Sequence, residues 1–358
     1  MPRKPSPFDS VPQSVCVLRL SAIGDTCHVL PVIRTLQAAW PQTRFTWIIG
    51  KIEAKLLGHI PEIEFIVVDK RDARGSWRTL RKAMQGRRFD VLMHMQLALR
   101  ASILSTLVPA DVRLGFDRSR ARELQWLFTN HRLRPGGRQH VMDALFGFAE
   151  KFHVYEKLLR WDIPIPEAAG AYARRVVPDG EQTLVISPCS SHVLRNWRND
   201  HYAQVADYAI GNLGMRVLLC GGPSDFEKRT GQDIVSRMTQ RCENLIGQDT
   251  LIEFLATLER ATVLLSPDSG PAHMASAVGT PVIGLYAATN PARSGPYLSR
   301  QWCIDRYDAA SRLVYGKPAG ELAWTTKIER PGVMELITPD EVIRKLHSVL
   351  LALARRKH

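Results

Sequence analysis

Apolar runs of strand length alternate along this chain with stretches of helical periodicity. Strands are predicted at 15–20, 45–49, 65–68 and 90–96, and again at 184–187, 216–220 and 263–265. Helices are predicted at 29–40, 201–210, 224–239 and 251–260. This alternation is typical of parallel sheets, so it predicts an α/β fold with two Rossmann-like domains. Domains that face each other across a cleft would bring the carboxyl ends of both sets of strands together, where ligands bind in such folds.

The same pattern suggests where the domains begin and end. We predict a flexible tail at 1–14, a first domain at 15–165, a second at 180–335, and a linker inside the stretch 164–182. A last helix at 339–355, within a C-terminal segment 338–358, has its apolar residues on one face, which must pack against a domain. These residues are Val342, Ile343, Leu346, Val349, Leu350 and Leu353.

The composition fits a globular protein that stays in the cytoplasm. Of the 358 residues 45% are hydrophobic, and no stretch reaches the roughly 18 uninterrupted apolar residues of a membrane helix. The N-terminus carries charge without an apolar core or a cleavage site, which argues against a signal peptide. The six cysteines are scattered, without Cys-x-x-Cys pairs or His partners at zinc spacing, so we expect reduced, packed thiols.

The formal net charge of +13 changes this picture, because it predicts a polyanionic partner or surface. The excess lies in the first half, at Lys70, Arg71, Arg74, Arg78, Arg81, Lys82, Arg87 and Arg88, and then at Arg100, Arg113, Arg118, Arg120, Arg122, Arg132, Arg134 and Arg138. Nucleic acid is disfavoured, since zinc-finger spacing, RNP-like aromatic motifs and a helix-turn-helix are absent. Anionic lipid or a phosphorylated acceptor fits better, and a merely solvated basic face stays open as an alternative.

The segment 263–286 carries the strongest chemical signal. An apolar strand at 263–265 leads through Asp268, Ser269 and Gly270 into a helix with Pro271 in its first turn. The N-terminus of such a helix offers N–H groups and the positive end of its dipole to an anion such as a phosphate. An ordinary turn capped by Asp268 is the alternative.

Two further polar turns follow predicted strands. The turn 21–28 carries a carboxylate, Asp25, for which a helix cap is the alternative role. The turn after 187 carries Ser190, Ser191 and Arg195, which suit a diphosphate, although Arg195 could also be a surface cation. The chain lacks Gly-x-Gly-x-x-Gly and the P-loop motif, which weakens nicotinamide-dinucleotide and P-loop interpretations.

Together these segments resemble glycosyltransferase family 9, the lipopolysaccharide heptosyltransferases, over nearly the whole chain. The resemblance rests on 21–31, on Arg195-Asn-Trp197, on 266–273, and on Gly284-Leu-Tyr286 with Thr289-Asn-Pro291. It implies a two-domain (GT-B) fold, an ADP-heptose donor held by the C-terminal domain, and inversion without a metal or cofactor. Consistently, the Asp-x-Asp pair of metal-dependent transferases is absent. The implied acceptor is the Kdo-lipid A inner core, reached by a peripheral protein at the inner face of the cytoplasmic membrane.

The resemblance also implies roles for individual residues. Asp25 takes the place of the catalytic base, and Arg195 stands where the family commonly has a phosphate-binding Lys. The other donor-site positions are Ser190, Ser191, Asp268, Ser269, Gly270 and His273. The chain departs from the family at Ile252, near which the ribose-binding Glu of the family aligns, and Glu253 follows one position later. Acceptor-side positions are Arg19, Gln96, Arg100 and Arg122, to which the basic cluster adds Arg71 and Arg74.

Three alternatives stay open at this stage. A glycosyltransferase of the same fold could use another nucleotide sugar or acceptor. A sugar-nucleotide epimerase could use a similar cleft but would not need so basic a first domain. A non-catalytic lipid or nucleic-acid binder would explain the charge but would leave the donor motif unused.

Overall fold

The computed structural model describes residues 6–356 and divides into two compact units, Met1–Pro164 and Ile165–His358. Each unit contains one parallel sheet of six strands. Helices connect most consecutive strands, because parallel strands need a crossover that returns the chain to the same edge. The predicted α/β class with two Rossmann-like units, the GT-B type, is therefore confirmed.

The first unit is a doubly wound sheet with the strand order β3-β2-β1-β4-β5-β6. Its strands are β1 (Ser14–Leu18), β2 (Arg44–Gly50), β3 (Ile63–Val68), β4 (Phe89–His94), β5 (Ala110–Gly115) and β6 (His131–Arg132). Its helices are α1 (Ile23–Ala39), α2 (Lys51–Leu57), α3 (Ala73–Ala83), α4 (Leu99–Ser105) and α5 (Val141–Glu150). The central strands read as near-continuous apolar runs because helices cover both faces of such a sheet.

Helix α1 begins six residues earlier than the predicted start at 29, so it includes Asp25 and runs through Pro31. A proline inside a helix has no N–H for the carbonyl four residues before it, here that of Cys27. The indole Nε1 of Trp161 donates to this carbonyl oxygen at 2.7 Å. A side chain from the end of the unit thus replaces the missing helical bond, and the helix continues.

The expectation of a flexible tail at 1–14 needs correction for the residues that the structure describes. Phe8 is buried at 7% exposure and packs edge-on against Phe152 and His131, with the ammonium of Lys151 4.5 Å from its ring centre. One aromatic side chain is enough to dock this segment, because burying it removes a large apolar area from water. Residues 1–5 lie outside the described part of the chain.

The second unit repeats the winding of the first, with the order β12-β11-β10-β7-β8-β9. Its strands are β7 (Thr183–Ile186), β8 (Arg216–Leu219), β9 (Glu243–Asn244), β10 (Val263–Pro267), β11 (Val282–Tyr286) and β12 (Ile304–Asp305). Its helices are α6 (Glu167–Val176), α7 (Asn199–Gly211), α8 (Asp225–Arg237), α9 (Leu251–Arg260), α10 (Gly270–Ala277), α11 (Pro291–Ser294), α12 (Tyr307–Tyr315) and α13 (Pro339–Arg356).

The stretch 164–182, interpreted from the sequence as a linker, contains helix α6. Its small residues Ala169 and Ala173 are buried against Ala256 of α9. This close packing stabilises a helix directly after Pro164 and Pro166, the prolines that suggested irregular structure. The C-terminal helix packs as its apolar face predicts, since Val342, Leu346 and Val349 are buried in the core of the second unit with the other three apolar residues partly buried beside them. Residues 357–358 of the predicted segment lie outside the described residues.

The six cysteines are free thiols, four of them buried and two half-buried. Burial raises the pKa of Cys27 to about 12, with the charge of Asp25 acting in the same direction, and that of Cys189 to about 11. Such thiols are packing groups and not nucleophiles at neutral pH. Within residues 6–356, no helix combines the length and the apolar character needed to cross a bilayer.

Candidate active site

In a doubly wound sheet, ligands bind beyond the carboxyl ends of the two strands between which the winding reverses. These strands are β1 and β4 in the first unit, and β7 and β10 in the second. The segments that follow them carry most of the predicted site residues, namely Arg19, Asp25, Gln96 and Arg100, and Ser190, Ser191, Arg195, Asp268, Ser269, Gly270 and His273. The topology therefore brings residues that are distant in sequence to one edge of each sheet.

Asp25 lies in the first turn of α1 and its side chain is 36% exposed. Its Oδ2 atom accepts the N–H of Ala22 at 3.1 Å and lies 2.5 Å from Nη2 of Arg19. The capping alternative is thus partly right, because the carboxylate satisfies a backbone N–H at the helix N-terminus. The same contacts fix the orientation of a carboxylate that solvent, and hence a ligand, can still reach.

Arg19 is 8% exposed and is used within the loop. Its Nε donates to the carbonyl oxygen of Ser21 at 2.9 Å and its Nη1 to that of Met95 at 2.5 Å, while Nη2 pairs with Asp25. These bonds link the loop after β1 to the end of β4. The observed contacts make Arg19 the side chain that orients Asp25, and its predicted contact with the acceptor stays a prediction.

Gln96 fixes the same loop from the other strand. Its Oε1 accepts the N–H groups of Leu20 at 3.0 Å and Ser21 at 3.3 Å. Behind it, Nε2 of the buried Gln125 donates to the carbonyl oxygens of Gln96 at 2.9 Å and His94 at 2.8 Å. The half-buried Gln96 is therefore a structural support of the loop, and its predicted contact with an acceptor stays a prediction.

A chain of buried side chains continues behind Gln125. The Nε2 of Gln125 also lies 3.2 Å from Nδ1 of His94, whose Nε2 is 3.1 Å from the hydroxyl of Ser102. Because an amide NH₂ can only donate, His94 accepts at Nδ1 and carries its proton on Nε2. Burial lowers the pKa of His94 to about 3, with the charge of Arg113 acting in the same direction. The imidazole is therefore neutral at physiological pH.

The remaining acceptor-side residues are exposed cations at the same edge of the first sheet. Arg71 and Arg74 follow β3, which lies two strands from β1, hence about 10 Å away at ordinary strand spacing. Arg100 lies in α4 after β4, where its Nη1 donates to the carbonyl oxygen of Lys70 at 2.7 Å, and Arg122 follows β5. The edge that carries Asp25 is thus flanked by arginines on both sides.

In the second unit, Arg195 lies at the centre of a charged cluster. Its Nε and Nη2 atoms are both 2.7 Å from Oε1 of Glu329, and its Nη1 is 3.6 Å from Oδ2 of Asp268. Burial raises the pKa of Glu329, but the hydrogen bond and the charge of Arg195 outweigh it and keep this pKa below its usual range. Arg195 is therefore not a loose surface cation, because two carboxylates orient its guanidinium.

Asp268 does not cap the helix that follows it, which disfavours the plain-turn alternative. The N-cap of α10 is Ser269, no side chain caps the helix, and Pro271 lies in its first turn. The Ser269 hydroxyl instead bonds to that of Ser266 at 2.8 Å, and the Ser190 hydroxyl donates to the carbonyl oxygen of Asp268 at 2.9 Å. The first turn of α10 thus keeps the backbone arrangement that binds anions.

Glu253 follows β9, which is not one of the two strands at the winding reversal. Glu253 closes the N-terminus of α9, where its Oε2 accepts the N–H of Thr250 at 2.8 Å while the Thr250 hydroxyl accepts the N–H of Glu253 at 3.3 Å. This capping box accounts for Glu253, and its contact with a ribose stays a prediction. Ser191 is exposed in the loop after β7, whereas His273 is buried in α10.

Lys327 and Glu329 belong to the charged cluster around Arg195 and were not predicted from the sequence. Between them Ile328 is fully buried, and its N–H donates to the carbonyl oxygen of Ala288 at 2.7 Å, beyond the end of β11. Burial lowers the pKa of Lys327 and the charge of Arg195 lowers it further, against the opposing charge of Glu329. The segment lies more than a hundred residues from Arg195 and has no motif of its own, so nothing local pointed to it.

The second site thus contains two cations, of which Arg195 lowers the pKa of Lys327, beside a helix N-terminus. An anion that binds between them would relieve this repulsion, which is the electrostatic arrangement expected of a phosphate site. Within residues 6–356 no group of three or more His, Cys, Asp or Glu side chains is placed to hold a metal ion. Metal independence itself stays a prediction.

Comparisons with known proteins identify the family of this chain. The model of glycosyltransferase family 9 (heptosyltransferase) matches residues 77–322. The lipopolysaccharide core heptosyltransferase OpsX of Haemophilus influenzae is 38% identical over 343 residues, which cover 95% of this chain and 97% of that protein.

Two solved structures share the fold. A glycosyltransferase family 9 protein of Veillonella parvula has a TM-score of 0.78 at 23% identity, covering 95% of this chain and 97% of that one. The ADP-heptose lipopolysaccharide heptosyltransferase II of Escherichia coli has a TM-score of 0.73 at 20% identity, covering 95% and 99%. The family match and the near full-length relative show that this chain belongs to glycosyltransferase family 9 and is a heptosyltransferase.

Proposed function

We propose that this enzyme transfers a heptose from ADP-heptose to the Kdo-lipid A inner core of lipopolysaccharide, with inversion at the anomeric carbon and without a metal or cofactor. One observation carries the proposal: the residues at the two winding reversals are an oriented carboxylate in one unit and a cationic cluster beside a helix N-terminus in the other. An inverting transfer needs these two groups, a base for the acceptor and a stabiliser for the leaving group.

The second unit supplies the leaving-group side of the reaction. As the bond between the anomeric carbon and the diphosphate breaks, negative charge develops on the diphosphate. Arg195, Lys327 and the N-terminus of α10 stabilise that charge where it forms. The guanidinium of Arg195 is already oriented by Glu329 before the charge develops. The Escherichia coli neighbour is named for ADP-heptose, and shifts in melting temperature with ADP, GDP and UDP would identify the base that this chain prefers.

The first unit supplies the base. An acceptor hydroxyl attacks the anomeric carbon as its proton passes to the carboxylate of Asp25, and ADP leaves with the electron pair of the broken bond. Single displacement of this kind inverts the anomeric centre. Arg19 and the Ala22 N–H hold one carboxylate oxygen in place, so the base keeps its orientation before the acceptor arrives.

The acceptor and its location follow from charge. Exposed arginines flank the edge that carries Asp25, and they suit the carboxylates and phosphates of an anionic inner core. Because that acceptor is lipid-linked, we propose that the enzyme works as a peripheral protein at the inner face of the cytoplasmic membrane. Nucleic acid is not part of this proposal.

The sharpest test is Asp25→Asn. The amide keeps the shape and can still accept the Ala22 N–H, but it cannot take a proton, so we expect kcat to fall by roughly 10²–10⁴-fold. Affinity for ADP should stay unchanged, because Asp25 is in the other unit from the cationic cluster. Single-turnover transfer and ADP titration on one preparation measure both.

The matched control is Asp72→Asn, which makes the same change in a carboxylate that caps α3 by accepting the Gly75 N–H at 2.8 Å. This variant should transfer heptose at the normal rate. If the Asp25 variant also transferred normally, Asp25 would have no part in the chemistry and the proposed mechanism would be wrong.

A further inference from the structure

Two neighbouring segments of the first unit expose aliphatic side chains. Helix α4 exposes Leu99 and Ile103 by 37% and 45%, and the segment around the short 3₁₀ helix Gln125–Phe128 exposes Leu124 and Leu127 by 51% and 58%. Leu99 and Ile103 are four residues apart and so share one helix face. The N–H of Leu99 donates to the carboxylate of Glu123 at 2.6 Å, which joins the two segments. We call these four side chains the apolar patch.

The apolar patch is rigidly presented. Gln125, between the two exposed leucines, is fully buried and is bonded to the carbonyl oxygens of His94 and Gln96. Leu124 has a φ of 61°, in the left-handed region, a conformation that is unfavourable for a leucine. The anchored backbone at Gln125 thus keeps the side chains of Leu124 and Leu127 exposed to water. The packing of the unit does not require this exposure.

Cations lie around the apolar patch. Arg100 lies between its two members on α4, Arg122 precedes Leu124, and the exposed Arg118 has its guanidinium carbon 5.2 Å from the ring centre of Trp126. Aliphatic side chains that can enter the acyl boundary, an aromatic ring and surrounding arginines are the combination that binds the interface of an anionic bilayer.

We propose that the apolar patch inserts into the interfacial layer of an anionic phospholipid bilayer, with Arg100, Arg118 and Arg122 on the headgroup phosphates. The positive charge of the arginines around the apolar patch favours lipid phosphates over an apolar protein partner. The inference deepens the proposed function, since a lipid-linked acceptor is the reason for such docking, but binding to a bilayer can be measured without acceptor, donor or catalysis.

The test is sedimentation with vesicles of phosphatidylcholine containing about 30% phosphatidylglycerol, a fraction that gives the surface a negative potential. We expect the unaltered chain to bind, and Leu124→Asn with Leu127→Asn to weaken binding by about tenfold or more, because two anchors become polar. Asparagine is chosen because it tolerates the left-handed conformation of residue 124. The matched control is Leu313→Asn with Leu351→Asn, two leucines of the second unit that are 65% and 62% exposed.

Two further measurements complete the design. Brominated lipids should quench fluorescence of the unaltered chain more than that of Trp126→Phe, and this readout does not depend on whether the leucine variant folds well. Transfer to a deacylated, water-soluble acceptor should be equal in the patch variant and the control, whereas transfer to acceptor in vesicles should fall only in the patch variant.

Equal vesicle binding by the patch variant and the control would overturn the inference, as would equal quenching with and without Trp126. Loss of a dimer in gel filtration by the patch variant, with vesicle binding intact, would assign the apolar patch to self-association and would also overturn it. None of these results would contradict the proposed transfer reaction, because transfer to the water-soluble acceptor measures that reaction separately.

Discussion

In the proposed mechanism the chemistry depends on single charged side chains, and each of them is oriented by an ion-pair partner. Arg19 and Asp25 form one pair, and Arg195 and Glu329 form the other. Arg19 orients Asp25, and Glu329 orients Arg195. We expect Asp25 and Arg195 to contact the substrates. A change at such a residue removes the contact with substrate and also disturbs the partner, so every test needs a control at a pair outside the site.

Arg195→Ala removes the guanidinium that we expect to contact the diphosphate. We predict a loss of roughly 2–3 kcal/mol, shared between donor binding and the chemical step. Isothermal titration with ADP and measurement of kcat check this, with Arg198→Ala as the control, since Arg198 is an exposed arginine paired with Asp200 at 2.9 Å. Unchanged affinity together with unchanged kcat would reduce Arg195 to a structural cation.

Asp249 gives a second prediction for a single residue. Burial raises its pKa to about 7, with the charge of Glu253 acting in the same direction, and its Oδ2 atom is buried without a hydrogen-bond partner in the described structure. The folded state thus holds a proton that the unfolded chain releases near pH 4, so stability falls as pH rises from about 4 to 7. Asp249→Asn should therefore stabilise the protein at pH 8 by at most about 4 kcal/mol. Urea unfolding at pH 8 and pH 4 measures this, and an equal effect at both values would contradict it.

Among the elements, the loop after β1 depends on the buried chain from Ser102 through His94 and Gln125 to Gln96. The local pattern predicts such loops poorly, because their supports come from other strands. By contrast α9 has the bounds predicted from the sequence, because the capping box of Thr250 and Glu253 lies within its first turn. The predicted start of helix α1 was too late because Gly24, which disfavours a helix, lies in its first turn.

The buried His94 makes this support dependent on pH. Its pKa is about 3 in the folded state and about 6.5 when unfolded, so the unfolded chain binds more protons between these values. Stability contributed by neutral His94 is complete above pH 6.5 and is lost as pH falls towards 3, by roughly 2 kcal/mol at pH 5. We predict that His94→Gln lowers stability at pH 7.5 but flattens the decline between pH 7.5 and 5. Melting curves across this range check it, and parallel declines would show that other groups cause the acid sensitivity.

At the scale of the whole molecule, the position of the site follows from the sequence pattern, whereas the partners of its side chains depend on the completed fold. The winding of both sheets follows from alternating strands and helices, and it alone places Asp25, Arg195 and Asp268 at the edges where ligands bind. Partners such as Glu329, which is 134 residues from Arg195, depend on the completed fold and leave no local pattern. Arg19 illustrates the same limit, since its contact with Met95 comes from another strand, whereas the side chain of Glu253 is used in a local capping box.

The basic surface of the first unit supports a prediction for the molecule as a whole. Neutralising the exposed Arg71, Arg74 and Arg78 together, as Gln, should raise the KM for acceptor steeply and leave ADP binding nearly unchanged. High salt should act in the same way, because about 0.5 M salt screens exposed charges beyond about 4 Å. A triple change of Arg237, Arg241 and Arg344, on the second unit, serves as the control of equal charge. Acceptor kinetics that do not respond to salt would contradict the idea.

The bond between Trp161 and the carbonyl oxygen of Cys27 has a consequence for how this sequence can evolve. Pro31 creates the need for that bond and Trp161 meets it, so we expect substitutions at the two positions to be coupled. A lineage that replaces Pro31 by a residue with an N–H regains the helical bond and releases position 161 to vary. Among descendants of this chain, the two positions should therefore change in that order, with the proline lost before the tryptophan.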